Sequence, residues 1–249
     1  MIRALIFDFD GLIMDTESPE VDAWRTIYAE YGQEFPLQRW VRDVVGSTAA
    51  NFDPAAHLAA MVAPTTRPGG QVPDPPALHA RARAFRLQRQ AVAPPMPGVA
   101  EYLQDATRLG LGLAVASSSK RDWVEGYLRR LGLFGYFEVV KCREDVQRVK
   151  PEPDLFLAAL TALQVRAPEA LVFEDSPNGV LAANRAGIRV VAVPNPITAG
   201  VEMRGADMLL RSLSDLPLEA LLARFGPHAV QAEDGRGKQV RARKRARPA

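Results

Sequence analysis

Five short apolar runs, separated by stretches of helical pattern, set the tightest limit on how this chain can fold. They are 2–9 (IRALIFDF), 111–116 (LGLAVA), 137–141 (FEVVK), 170–175 (ALVFED) and 189–193 (RVVAV). Each is four to eight residues of strand-forming side chains, too short for a typical helix. Helical patterns cover 99–109, 120–131, 153–164 and 178–187, the last ending at Gly187. Strands alternating with helices predict parallel βαβ units and an α/β sheet.

One block breaks the alternation. Between 17 and 93, Val21, Trp24, Ile27, Tyr28 and Tyr31 recur at helical spacing, and Trp40, Val41, Val44 and Val45 follow. The segments HLAAMV and ALHARARAFRLQRQ continue the pattern on either side of a Pro/Gly-rich loop, TTRPGGQVPDPP. PPMPG at 94–98 then ends the block. The expected organisation is a sheet domain made of 1–16 and 94–228, with a helical insert at 17–93 and a tail at 229–249.

The chain has 249 residues, 47% hydrophobic and 24% charged, which suits a globular protein. At this size folding buries roughly three quarters of the unfolded surface, so no staples are needed. The single cysteine, Cys142, excludes an intramolecular disulfide. The first apolar run is too short for a signal peptide, and no run reaches membrane-spanning length. A cytoplasmic monomer is expected. The net charge of +2 is set by the C-terminal end, because residues 235–249 hold seven Lys or Arg and no acid. Without them, 24 basic residues face 29 acidic ones, so the globular body is mildly acidic. A tail of this composition is expected to be disordered. It can touch nucleic acid through phosphates, but it lacks aromatic residues for base stacking.

Ligands of an open parallel sheet bind at the carboxyl ends of its strands. The reactive residues cluster at those ends. Asp8 and Asp10 close the first run, and their i, i+2 spacing sends both carboxylates the same way. Ser117 follows the second, and Glu174 and Asp175 close the fourth. Lys150 stands in VKPEPD before a helix. Alone, D-x-D suits a turn, Ser117 a helix cap, Lys150 a surface charge and Glu174–Asp175 another cap. Together they supply what phosphoryl transfer needs: a nucleophile, charge neutralisation and a proton donor. A carboxylate nucleophile would form an aspartyl-phosphate. Carboxylate and carbonyl oxygens suit Mg²⁺.

These motifs resemble those of haloacid dehalogenase-like (HAD) hydrolases. DFDGLIMDTE (8–17) is similar to the family's first motif, ASSSK (116–120) to the second, KPEPD (150–154) to the third and FEDSPNGVLAANRAG (173–187) to the fourth. The insert at 17–93 resembles the small helical cap of the beta-phosphoglucomutase-like branch. The resemblance implies a Rossmann-like sheet of order 5-4-1-2-3, with Asp8 as nucleophile and Mg²⁺ ligand. It makes Asp10 the general acid/base, with its backbone carbonyl as a second ligand. Asp175 is then a third ligand, and Glu174 binds or orients the metal. Ser117, the backbone of Ser118, and Lys150 hold the phosphoryl group.

The same resemblance sorts the reactions. Family dehalogenases lack the second Asp, so Asp10 favours phosphate chemistry. Phosphonate hydrolases and mutases of the family use a cap lysine, and residues 17–93 contain none. Mutases also place a histidine where this chain has Glu20. A Mg²⁺-dependent phosphatase acting on a small phosphorylated metabolite, such as a sugar phosphate, is expected. A phosphomutase and a nucleic-acid-docking protein are the alternatives. Glu20, Gly46, Ser47, Asn51 and Phe52 are the candidate substrate contacts. Arg81, Arg83, Arg86 and Arg89 line one cap helix, either as a solvated face or as an attractor for anions.

Overall fold

A computed structural model describes residues 1–45, 52–62 and 73–226. Its centre is a parallel sheet of six strands: β1 (Ala4–Phe7), β2 (Gly112–Ala116), β3 (Val139–Lys141), β4 (Ala170–Glu174), β5 (Arg189–Ala192) and β6 (Met208–Leu209). The order is β3-β2-β1-β4-β5-β6. This is the expected five-strand order with one strand added at the edge. β6 has two residues, too few to show a period in the sequence.

The register explains the two faces of the sheet. Leu5 and Phe7 of β1 pair with Leu113 and Val115 of β2 and with Leu171 and Phe173 of β4. All six point to one side and join one hydrophobic cluster. Three helices cover that side: α5 (Val99–Arg108), α6 (Arg121–Arg130) and α9 (Leu218–Arg224). The alternate residues Ala4, Ile6, Ala114, Ala116, Ala170 and Val172 point the other way. There they meet Leu155, Phe156, Ala159 and Leu160 of α7 (Asp154–Leu163) and Val180, Ala182 and Ala183 of α8 (Pro177–Arg185). Small alanines on this face let α7 and α8 approach closely. With both faces covered, β1 is buried throughout.

Between β1 and α5 the described residues form α1 (Ser18–Glu30), α2 (Leu37–Asp43), α3 (Pro54–Val62) and α4 (Pro75–Val92). Their buried apolar residues run from Val21 to Ala82 and form a third cluster, separate from the two that flank the sheet. Trp24 and Tyr28 are its largest fully buried members. The chain reaches these helices through a fold-back after β1, where the Gly11 amide donates to the Met14 carbonyl at 2.8 Å. The return is pinned beside it, the Met96 amide donating to the Ile13 carbonyl at 2.8 Å. Both crossings therefore lie at the carboxyl end of β1. Among the described residues, no helix is long and apolar enough to cross a membrane.

Candidate active site

Because β1 lies between β2 and β4, the loops after these three strands meet at one point. Asp8 follows β1 directly, held by its amide to the Phe173 carbonyl at 3.0 Å. Lys150 arrives from the loop before α7. Its Nζ lies 2.5 Å from Asp8 Oδ1 and 2.5 Å from Glu174 Oε1. All three are buried, Glu174 completely. Glu174 is fixed on its other oxygen, since Oε2 accepts from the Asp175 amide at 3.1 Å and the Ser176 amide at 3.3 Å. Ser176 also donates its hydroxyl to that oxygen and caps α8 by accepting from Gly179.

Asp175 is oriented from the opposite side. Asn195 Nδ2 donates to its Oδ2 at 2.7 Å, and Asn195 Oδ1 accepts from the amides of Ile197 and Thr198. Two glycines leave room for these carboxylates. A Cβ at Gly11, whose φ is +79°, would lie 2.2 Å from Asp175 Oδ2. A Cβ at Gly179 would lie 1.8 Å from the Glu174 carboxyl carbon. Neither position accommodates a larger residue without moving a carboxylate.

Ligand oxygens of Asp8, Glu174 and Asp175 all lie within 4.8 Å of one another. Burial, partly offset by Lys150 and reinforced by Glu174 and Asp10, pushes Asp8 up to about 8. Burial and the charges of Asp8 and Glu174 raise Asp175 well above the carboxylate range. Burial acts to lower Lys150, but Asp8 and Glu174 outweigh it and raise it. Three buried carboxylates beside one ammonium have an excess of negative charge. An all-oxygen donor set of this kind fits a hard divalent cation, and such a charge would draw the carboxyls back to the ionised form.

This has a measurable consequence. A carboxyl whose folded value exceeds its ordinary 3.8 gives stability that is present below 3.8 and is lost as pH rises through the folded value. For Asp8 the decline spans about pH 4 to 8. Metal-free protein should therefore melt progressively lower between pH 5 and pH 8, and millimolar Mg²⁺ should raise Tm more at pH 8 than at pH 5. Thermal scans with and without Mg²⁺ check this; an equal increment at both pH values contradicts it.

Asp10 lines the same cavity as Asp8 but is held by a different set of partners. Its Oδ2 accepts from Ser119 Oγ at 2.6 Å and Ser117 Oγ at 3.3 Å, and its Oδ1 from Trp123 Nε1 at 2.9 Å. Ser117 is fully buried and does not cap α6, whose N-cap is Lys120. Lys150, 5% exposed, is not a surface charge.

A cavity of about 610 Å³ opens over these groups. Its floor includes Asp8, Asp10, Ser118, Lys150 and Asp175, and its far wall is Glu17, Glu20, Trp40, Arg86 and Gln90. Ser117 and Glu174, both fully buried, adjoin these groups through Asp10 and Lys150. Glu20 accepts from Trp24 Nε1 at 2.8 Å and pairs with Arg86 at 3.1 Å. Burial, then Asp10, Glu20 and Asp15, pushes Glu17 up to about 7. Of the arginine stripe on α4, Arg86 alone lines this cavity; Arg81 pairs with Glu30. Phe52 packs within the insert's own cluster, under Arg39. Gly46, Ser47, Asn51 and the tail 229–249 lie outside the described residues. Sequence reading did not single out Glu17, Gln90, Ser119, Trp123 or Asn195. Glu17 and Ser119 do fall inside the motifs DFDGLIMDTE and ASSSK, whereas the full burial of Gln90 on an arginine-rich helix leaves no mark in the sequence.

The profile of haloacid dehalogenase-like hydrolases matches residues 5–193, and the chain belongs to that family. It is a hydrolase acting on phosphate monoesters. YhcW of Bacillus subtilis (strain 168) is 41% identical over 222 residues, covering 89% of this chain and 97% of YhcW. The fructose-1-phosphate phosphatase YqaB of Escherichia coli (strain K12) is 32% identical over 193 residues, covering 76% of this chain and 95% of YqaB. Among solved structures, a HAD family hydrolase from Deinococcus radiodurans R1 with bound phosphate and sodium superposes with a TM-score of 0.71 at 26% identity. The match covers 90% of this chain and 96% of that one.

Proposed function

We propose that this protein is a Mg²⁺-dependent phosphatase that hydrolyses a small polyhydroxylated phosphomonoester, of the sugar-phosphate class, through an aspartyl-phosphate. The observation that carries the reading is Lys150, buried between Asp8 and Glu174 on the floor of a cavity that Asp10 also faces.

In the first step an Asp8 carboxylate oxygen attacks phosphorus. The bond from phosphorus to the substrate oxygen breaks, and that oxygen takes a proton from Asp10. In the second step Asp10 takes a proton from water as the water oxygen bonds to phosphorus. The acyl-phosphate bond breaks, releasing inorganic phosphate and the Asp8 carboxylate. Lys150, Ser117 and the Ser118 backbone stabilise the phosphoryl oxygens. Asp8, Asp175 and the Asp10 carbonyl would hold Mg²⁺, with Glu174 orienting it. The ion would neutralise charge on the transferring group.

The substrate class follows from the far wall. Thr16, Glu20, Arg86 and Gln90 line the cavity; Glu20 and Arg86 pair at 3.1 Å, and Thr16 Oγ1 and Gln90 Oε1 are buried without a hydrogen-bond partner among the described residues. Buried polar atoms demand partners, and a ring of hydroxyls supplies both donors and acceptors. Glu17 and Glu20 disfavour a second phosphate there. YqaB, a fructose-1-phosphate phosphatase by name, points to the same class. Glu20 is already held by Trp24 and Arg86, so a mutase-type role for it finds no support. Residues 17–93 would act as a cap that closes over the bound substrate.

Phosphate release from a panel of sugar phosphates, with Mg²⁺ and with EDTA, tests the reading. We expect turnover of at least one hexose or pentose monophosphate, abolished by EDTA and restored by Mg²⁺. Full activity in EDTA, or isomer formation without free phosphate, would overturn it.

A further inference from the structure

Each of the two carboxylate oxygens of Asp10 is held differently. Oδ2 faces the hydroxyls of Ser117 and Ser119. A hydroxyl can turn to donate or to accept, so Oδ2 is the oxygen that can give up or take a proton without losing its neighbours. Oδ1 faces the indole N–H of Trp123 at 2.9 Å. An indole N–H only donates, and its direction is fixed by the ring.

The ring itself is braced. Trp123 sits in the first turn of α6 and packs edge-on against Tyr127, ring centroids 4.6 Å apart. On its cavity side it meets the guanidinium of Arg86 from α4, 5.8 Å from the ring centroid. Arg86 is paired with Glu20 of α1. The side chain bonded to Asp10 thus lies beside Arg86 of α4, a residue of the far wall that is itself paired with α1.

We propose that Trp123 is a positioning residue for Asp10: its N–H anchors Oδ1 so that Oδ2 is presented to the leaving oxygen. This rests on the reading of Asp10 as the general acid/base. The requirement for a placed proton donor grows with the basicity of the leaving oxygen. A misaimed Asp10 therefore penalises poor leaving groups and spares good ones. A loss of packing or of phosphate binding penalises both alike.

The test compares kcat/KM for phenyl phosphate and 2,4-dinitrophenyl phosphate in Mg²⁺-loaded wild type, Trp123→Phe, Trp123→His, Asp10→Asn and the Trp123→Phe/Asp10→Asn double variant. Trp123→Phe keeps a ring and removes the donor; Trp123→His restores a ring N–H. Trp123→Phe should lose about 10- to 100-fold on phenyl phosphate, at least about tenfold more than on the dinitrophenyl ester. Trp123→His should recover part of that difference. The double variant should match Asp10→Asn, because an anchor has no effect without the group it anchors. Equal losses of Trp123→Phe on both esters, or additive losses in the double variant, overturn the inference while leaving the Asp10 reading intact. If Asp10→Asn shows no preference between the esters, the acid/base reading itself falls, and this inference with it. Should Trp123→Phe fail to fold by circular dichroism, the His variant alone decides: a leaving-group-selective loss supports the role and a uniform one rejects it.

Discussion

Asp8→Asn should abolish phosphate release, with kcat falling on the order of 10³-fold or more. The amide is isosteric but is not a nucleophile toward phosphorus, so no aspartyl-phosphate forms. The same substitution should have an opposite effect on stability in metal-free protein. Burial and the neighbouring acids cost the ionised Asp8 more than Lys150 returns, which is why it is pushed up to about 8. At pH 9 without Mg²⁺, Asp8→Asn should melt above wild type; with Mg²⁺ the order should reverse, because the variant lacks one anionic ligand. Steady-state kinetics and thermal scans check the two halves separately. A variant with wild-type turnover would remove Asp8 from the chemistry. A lower melting temperature in EDTA at pH 9 would show that the ion pair with Lys150 outweighs the burial cost.

Lys150→Met should be the most damaging exchange for the fold of the site. Removing one member of a buried ion pair leaves its partners uncompensated and costs about 3–5 kcal/mol. Here two carboxylates, Asp8 and Glu174, lose their shared cation at once. The loss should be greatest at pH 8 and smaller at pH 5, where the carboxyls can take up protons. Mg²⁺ should restore part of the stability, because it supplies positive charge to the same cluster. Activity should remain down by about 10²- to 10³-fold even with Mg²⁺, since the phosphoryl oxygens lose a fixed donor. Urea titration at the two pH values and phosphate release measure these effects. A stability change of about 1 kcal/mol or less, the worth of an exposed pair, would show that Lys150 is not needed to balance the acids.

The central strands β1 and β4 were legible in the sequence because they are buried throughout. Runs such as ALIF and ALVFE carry no polar interruption, and their ends are marked by acids. Asp8, Glu174 and Asp175 were legible for the same reason: a carboxylate directly after a buried strand has one place to go. What escaped reading depends on distant partners. Trp123 reaches Asp10 across 113 residues, and Gln90 reaches the Thr16 carbonyl across 74. A tryptophan in an amphipathic helix reads as core, and only the sheet order brings its N–H to a carboxylate. The arginine stripe on α4 shows the same limit. Its spacing gave one helix face but could not say that Arg86, between Glu20 and Trp123, differs from Arg81 beside Glu30. β6 was missed because two residues at a sheet edge leave no pattern to read.

The three hydrophobic clusters divide the labour of the molecule. The two beside the sheet hold the carboxylates in place, and the third, from Val21 to Ala82, is filled by the insert's own residues. Mutational drift in that third cluster can reshape the far wall while Asp8, Lys150 and Asp175 keep their scaffold. A lineage built this way can change its diet without relearning its chemistry. The same partition suggests where a laboratory search for new specificity should spend its library: on Glu17, Glu20, Arg86 and Gln90, with the sheet left alone.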